Sequence, residues 1–312
     1  MGEPMLEFNQ LPAAADGTLP YLQGFGGDTS NAAIAAARQG ARVGYITQIG
    51  RDMAGDRFMS LWKRENVDTT CVLRSDRYQT AVYFVTHDDD GHHFHFHRTT
   101  SAAAMYGPSD VPDAAIKAAR MLYISGISQG ISTSACDAVF HAIGVARENG
   151  VSVAYDTNYR PKLWPPVRAA SVMHAAMARA DYAMPGIEDV NTLTGLTDPD
   201  RMLDFYLRLG CKVVLLKMGE AGSCLATADN RVRIPAHKVV PVDATGAGDT
   251  FCGSFLARLL AGDDPPAAAR YASVAAALKC MGYGAVGPIP RADAVWSVLE
   301  GRHAAVDRGT DA

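Results

Sequence analysis

The sequence predicts an α/β fold: a mostly parallel sheet covered by helices on both faces, with a small β-sheet lid inserted at one end. Three observations carry this. From Val43 onward, short β-branched or apolar runs alternate with longer Ala-rich amphipathic ones, which is the pattern of repeated strand–helix units. One region, YQTAVYFVTHDDDGHHFHFHRTT, breaks the alternation with two period-2 runs around an acidic turn. The composition, 48% apolar and 20% charged over 312 residues, is that of a globular chain. A chain of this length buries about 75% of the surface it would expose unfolded.

Taken in order, the segment from Glu7 to Leu22 mixes polar and apolar residues and can add strands to the insert. VGYITQIG reads as a strand and MAGDRFMSLWKREN as the helix after it. In the hairpin, closure by Asp88 with Gly91, or by Asp89 with His92, puts Tyr83 on one face with Phe94, Phe96 and Arg98. His93, His95 and His97 take the other face. Strand–helix pairs resume with MLYISGI and STSACDAVFHAIGVARENG, then VSVAYDTN and VRAASVMHAAMARA. DYAMPG, helices from Glu188 to Leu193 and from Asp200 to Leu209, and the strand KVVLLKMG follow. Two Ala-rich helices, Gly248 to Leu260 and Pro266 to Met281, close the chain. Without an internal repeat or low-complexity linker this reads as one domain over residues 1–312, its lid drawn from about 7–23 and 76–101.

Several function classes lose support. Lys and Arg number 29 against 33 Asp and Glu, a net charge of −4, and no window gathers the like charges that track phosphate backbones or anionic lipid. Nucleic acid and membrane are therefore not expected partners. The six cysteines, Cys71, Cys136, Cys211, Cys224, Cys252 and Cys280, form no CxxC pair and read as reduced core thiols of a cytoplasmic protein. Three imidazoles on one strand face can hold Zn2+, but no carboxylate or Cys completes the set, and a polar lid face is the simpler reading.

The chemistry concentrates in VDATGAGDTFCGSF, Val242 to Phe255: an apolar lead-in, a Gly-rich turn and an apolar helix. Gly246, Ala247 and Gly248 present backbone N–H groups without bulk, and a helix N-terminus adds the positive end of its dipole, so the turn suits phosphate or a developing phosphoryl charge. Asp249 at its mouth would repel phosphate, and makes sense as the base that takes a proton from an attacking hydroxyl. Cys252, among apolar helical neighbours, reads as packing.

DATGAGD with its helix closely resembles the carboxy-terminal signature of the ribokinase/PfkB family of sugar kinases. GFGGDTSNAAIAAARQGARVGYITQIGRDMAGDRF resembles that family's amino-terminal signature, in which a GG turn and an Asn meet the sugar; these are Gly26, Gly27 and Asn31. The resemblance covers essentially the whole chain. It implies a three-layer α/β/α ribokinase-like core, ATP as donor, Mg2+ at the phosphates and often a monovalent cation, K+, near the Gly turn. LLKMGEAGS resembles the segment beside ATP and nominates Lys217, Gly219 and Gly222, with Thr245, Gly246 and Gly248 from the turn; the stretch from Ala272 to Gly282 would wall the adenine. The family's Asn-x-x-Glu appears as Gly186-Ile187-Glu188-Asp189, which leaves Asp189 to meet Mg2+ through water. The family usually has several apolar residues before G-E-P, forming the first core strand; only Met1 stands there, so either the start is misplaced or the central sheet lacks most of one strand.

The acceptor is read from YDTNYRPKLW, which places Asn158 and Arg160 at a strand's carboxyl end, where open α/β sheets bind ligands. An arginine there is wasted on a neutral sugar, but its planar fork matches a carboxylate. With HRTTSAAA, LYISGIS and GAVGPIP, this segment resembles 2-keto-3-deoxygluconate kinases more than ribokinases or fructokinases. That resemblance implies Tyr83, Phe96, Arg98, Asn158 and Arg160 around the acid, Gly27 and Asn31 on hydroxyls, Asp249 as base, and the 6-phosphate as product. A kinase of a neutral sugar or nucleoside, and a catalytically silent sugar-binding homologue, stand as the alternatives. The Tyr-, Phe- and His-bearing lid edge favours a homo-oligomer joined through the lid.

Overall fold

A computed structural model describes residues 1–88 and 90–301. The expected domain boundary at residue 312, and the turn residue Asp89, lie outside the described residues. The chain opens with strands β1 (Met5–Gln10) and β2 (Tyr21–Gly26) and helix α1 (Asp28–Arg38). Then come β3 (Val43–Gly44), β4 (Thr47–Gly50), α2 (Met53–Arg64), β5 (Val67–Asp68), β6 (Val72–Ser75) and the hairpin β7 (Ala81–Asp88) and β8 (Gly91–His97). The middle of the chain holds α3 (Asp113–Ala118), β9 (Met121–Ser125), α4 (Gly126–Gly130), α5 (Thr133–Glu148), β10 (Ser152–Asp156) and α6 (Pro166–Met177). It continues with β11 (Tyr182–Ala183), α7 (Ile187–Thr194), α8 (Pro199–Leu209), β12 (Val213–Lys217), β13 (Ser223–Ala226) and β14 (Arg231–Ile234). Helices α9 (Ala247–Ala261), α10 (Pro265–Lys279) and α11 (Ala292–Leu299) end the described chain.

The main sheet runs β14-β13-β12-β11-β10-β9; β9 to β12 are parallel, and β13 and β14 are antiparallel. Strand alternation makes the three layers. In β12, Val214 and Leu216 enter the cluster that α5, α6 and α8 cover, whereas Val213 and Leu215 enter the one covered by α9 and α10. Residues buried on both faces explain why this strand reads as a continuous apolar run.

VGYITQIG was expected to form a single strand. Instead the chain bends at Tyr45, whose buried ring packs on Trp62 and whose hydroxyl bonds Thr29 Oγ1 at 2.8 Å. The result is two short strands, β3 paired with β5 and β4 with β6, outside the main sheet. β9 is the edge of the main sheet; on its outer side Met1 N donates to the Tyr123 carbonyl at 2.9 Å and Gly2 N to the Ile46 carbonyl at 3.2 Å, linking β9 to the β3–β4 segment.

The second, smaller sheet, β2-β1-β7-β8, holds the two segments expected to form a lid. Its hairpin closes on Asp88 and Gly91, which sets Phe96 opposite Tyr83 and Phe94 opposite Val85. Tyr83, Phe94 and Phe96 therefore share a face, with ring centroids 5.6 to 6.4 Å apart. On the other face His93 bonds Asp88 at 2.7 Å and His95 bonds Thr86 at 3.0 Å. Among the described residues no group of three metal-ligating side chains gathers, and His95 and His97 stand exposed.

Helices α1 and α9 are brought together by small residues. A Cβ on Gly253 would run into the Ala32 carbonyl and stand 2.9 Å from the Ala35 Cβ, so only glycine lets the backbones approach this closely. This contact joins the two glycine-rich segments, far apart in sequence, into one place.

Candidate active site

The site lies where the first turns of α1 and α9 meet the carboxyl ends of β10 and β12. Gly246 caps α9 with φ 77°, a left-handed conformation that favours glycine, and no side chain caps the helix. Asp243 shapes the approach: its Oδ1 accepts from Thr245 N and its Oδ2 from Gly284 N, each at 2.8 Å. Burial works against its charge, but these amides hold its carboxyl below the ordinary aspartate value.

The free amides differ from those expected. Ala247 N donates to the Ala244 carbonyl at 3.0 Å and closes the turn, leaving the amides of Gly246, Gly248 and Asp249 without a partner among the described residues. Three unpartnered N–H groups on a helix N-terminus can receive an anion.

Asp249, in the first turn of α9, accepts a 2.8 Å hydrogen bond from Asn31 Nδ2. Burial, then the negative charge of Asp28, raises its pKa to about 7. A carboxylate poised there can take a proton near neutral pH.

The other expected residues divide. Gly27 adopts φ 103°, and a Cβ would strike the Glu3 carbonyl, so glycine is required where β2 turns into α1. Tyr83, on β7 of the small sheet, is buried, its hydroxyl donating to buried Glu7. Arg98 ion-pairs with Glu3, which also accepts from Ser101 Oγ at 2.6 Å, and its guanidinium stands 5.7 Å from the Phe96 ring. Arg98 is thus already committed to a carboxylate. Arg160, by contrast, is exposed, and among the described residues its guanidinium bonds only the Tyr159 carbonyl, at 2.9 Å. Asn158, at φ 34°, gives its amide N–H to Asp28 at 2.9 Å.

Lys217 is not a solvated strand-end charge. Its ammonium lies 2.6 Å from Asp156 Oδ2 and 3.5 Å from Cys252 Sγ, and a Cβ on Gly248 would stand 3.7 Å away. Burial opposes its charge, but the Asp156 carboxylate holds the pKa above the ordinary lysine value. A fixed cation therefore sits beneath the anion-receiving turn. The Cys252 thiol is pushed well up by burial and by Asp156, which leaves it inert as a nucleophile. Gly219 and Gly222, at φ 57° and 88°, turn the chain after β12. Segments 242–243 and 280 pair through Val242 N to the Cys280 carbonyl at 2.7 Å, and Val240, Val242, Met281 and Tyr283 stand exposed around them. That apolar surface suits a nucleobase.

For a divalent ion, Asp189 is held rigidly: its Oδ2 accepts from Thr157 Oγ1 at 2.7 Å and Tyr159 N at 3.1 Å. One oriented carboxylate beside an anion site fits Mg2+, which keeps most of its waters and needs few protein ligands.

Asp28 was not anticipated. GFGGDTSN contains it in plain sight, but only the packing of α1 on α9 places its carboxylate near Asp249.

The profile of the family described as pfkB family carbohydrate kinase matches residues 21–292. The chain is 32% identical to a 2-dehydro-3-deoxygluconokinase of Thermoproteus tenax, over 89% of this chain and 86% of that protein. The solved PfkB protein of Polaromonas sp. JS666 superposes with a TM-score of 0.86 at 28% identity, covering 95% and 97% of the two chains. A putative ribokinase II of E. coli, solved in complex with ATP and Mg2+, has the same fold, with a TM-score of 0.87 at 24% identity over 97% and 98%.

Proposed function

The chain belongs to the pfkB family of carbohydrate kinases, phosphotransferases with a sugar hydroxyl as acceptor, and we propose that its acceptor is a sugar acid: ATP-dependent phosphorylation of 2-keto-3-deoxygluconate to the 6-phosphate. One observation carries the chemistry. Asp249, with a pKa near 7, stands at the mouth of a helix N-terminus that offers three free amides.

The mechanism is positioning plus charge stabilisation. The acceptor hydroxyl gives its proton to Asp249 while Asn31 holds the carboxylate in place. The new O–P bond forms to the γ-phosphorus, the bond to the β–γ bridging oxygen breaks, and ADP leaves. The amides of Gly246, Gly248 and Asp249 receive the charge of the transferring group, with Lys217 beneath them. Thr245, Gly219, Gly222 and the apolar 240–243 and 280–283 segments hold the nucleotide. Asp189 would hold Mg2+ through water, and the ion would supply charge neutralisation at the phosphates. The buried Lys279 ammonium donates to the Asp243 carbonyl at 2.6 Å and adds positive charge beside the turn where K+ is the proposed monovalent cation.

For the acid, the uncommitted guanidinium of Arg160 supports a carboxylate at that end of the cleft, with Tyr83, Phe96 and the Arg98–Glu3 pair forming the lid side. The lid edge β8, with Phe94 and Phe96 exposed, is the surface proposed for a second copy of the chain; light scattering of wild type against Phe94→Glu tests it.

ADP release from Mg-ATP across a panel of sugar acids and neutral sugars tests the reading. We expect turnover of the acid, and an Arg160→Ala loss confined to anionic substrates. Preferred turnover of a neutral sugar, unaffected by Arg160→Ala, would favour a fructokinase- or ribokinase-like specificity instead. Binding across the panel without any ADP release would favour a catalytically silent homologue.

A further inference from the structure

Of the buried acceptor atoms in the site that lack a donor among the described residues, two stand together on α1. Asp28 is 6% exposed and Asn31 4%, and the Oδ1 of each is buried without a hydrogen-bond partner. They stand three residues apart in the first turn of α1, on the helix face that meets Asp249. Their other side-chain atoms are engaged: Asp28 Oδ2 accepts from Asn158, and Asn31 Nδ2 donates to Asp249. A buried carboxylate oxygen left unpaired is costly, and such groups persist where a ligand completes them. The Asn158 backbone is further evidence, since a non-glycine residue at φ 34° is held in a sparsely populated conformation while its amide orients Asp28.

We propose that Asp28 is a specificity-determining residue that accepts a hydrogen bond from the acceptor's second hydroxyl, the one adjacent to the hydroxyl deprotonated by Asp249. The class of ligand follows from the charges. Only a donor satisfies these two oxygens, and an anionic group near Asp28, Asp249 and Glu3 would be repelled. A sugar acid must therefore enter with its polyol end at α1 and its carboxylate turned away toward Arg160. An acceptor with a single terminal hydroxyl leaves Asp28 unsatisfied and is rejected.

This inference rests on the kinase reading, and its test separates the two. The wild-type chain is assayed with its best polyol acceptor and with the analogue lacking the neighbouring hydroxyl; Asp28→Ala, which leaves no side-chain hydrogen-bonding group, is assayed with the same pair. We expect the wild type to disfavour the deoxy analogue by about 10- to 100-fold in kcat/KM, and Asp28→Ala to discriminate by less than about threefold. A second readout is the acid limb of kcat/KM. Asp249 is faced by Asp28 and Asn31 of α1, Tyr45 after β3, Tyr83 of β7, Tyr123 of β9, Asp156 of β10, Lys217 of β12, Lys279 of α10 and Cys252 of its own helix. Removing the Asp28 charge lowers the Asp249 pKa, so the limb moves to lower pH by about half a unit or more, which loss of a packing contact would not produce. Wild-type discrimination below about threefold overturns the proposal without need of a folded variant. So does an Asp28→Ala enzyme that keeps both its discrimination and its acid limb. Absence of turnover with every polyol removes the kinase reading and this inference together.

Discussion

Asp249→Asn is the perturbation in which function and stability should move in opposite directions. The amide keeps the shape and can still accept from Asn31 through its oxygen, but it cannot take a proton. Loss of a general base costs about 10²- to 10⁴-fold in kcat, while acceptor affinity should change by less than about threefold. The wild-type pH profile follows from a pKa of about 7. Only about a tenth of the carboxylates are ionised one pH unit below it, so kcat/KM at pH 6 should be about tenfold below its plateau above pH 8. Stability has the opposite sign. The folded pKa lies above the unfolded value of 3.8, so the charged form burdens the fold increasingly as pH rises from there through 7, and fully above it. Asparagine removes that burden, raising stability at pH 8 by up to about 4 kcal/mol and by little at pH 4. Coupled ADP release, calorimetric acceptor binding and thermal unfolding at both pH values provide the assays. A variant within tenfold of wild-type turnover, or a wild-type acid limb below pH 5, would refute the assignment of Asp249 as base.

Two further outcomes follow from the packing. Gly253→Ala should destabilise the fold by about 1–3 kcal/mol and depress turnover by separating Asn31 from Asp249, although alanine in a helix interior ordinarily gains about 1 kcal/mol over glycine; chemical denaturation would show the sign. Lys217→Met leaves Asp156 buried and unpaired, a loss of about 3–5 kcal/mol, and the additional change Asp156→Leu should restore most of it; unfolding midpoints of the single and double variants decide this.

Local physics accounts for what could be read before the structure. The hairpin register was legible because period-2 alternation and an Asp-Gly turn leave few ways to pair Tyr83 with Phe96. The α9 turn was legible because Gly246 and Asp249 combine a backbone requirement with a chemical one, and α9 starts within two residues of the expected place. What stayed hidden depends on residues far apart in the chain. Nothing near Arg98 announces that Glu3 will neutralise it, and nothing near Lys217 announces Asp156. Likewise the Ala247 amide looks free in sequence, and only the turn geometry shows it spent on Ala244. Asp28 reads as an ordinary first-turn helix acid until the glycine contact at Gly253 brings it beside the base.

A crystal structure of the chain with ADP, aluminium fluoride, Mg2+ and the preferred sugar acid would test the central claim most directly. The metal fluoride should sit against the amides of Gly246, Gly248 and Asp249, with the Asp249 carboxylate about 3 Å from the acceptor oxygen in line with it. A metal fluoride bound elsewhere, or an Asp249 carboxylate turned away from the acceptor, would contradict it.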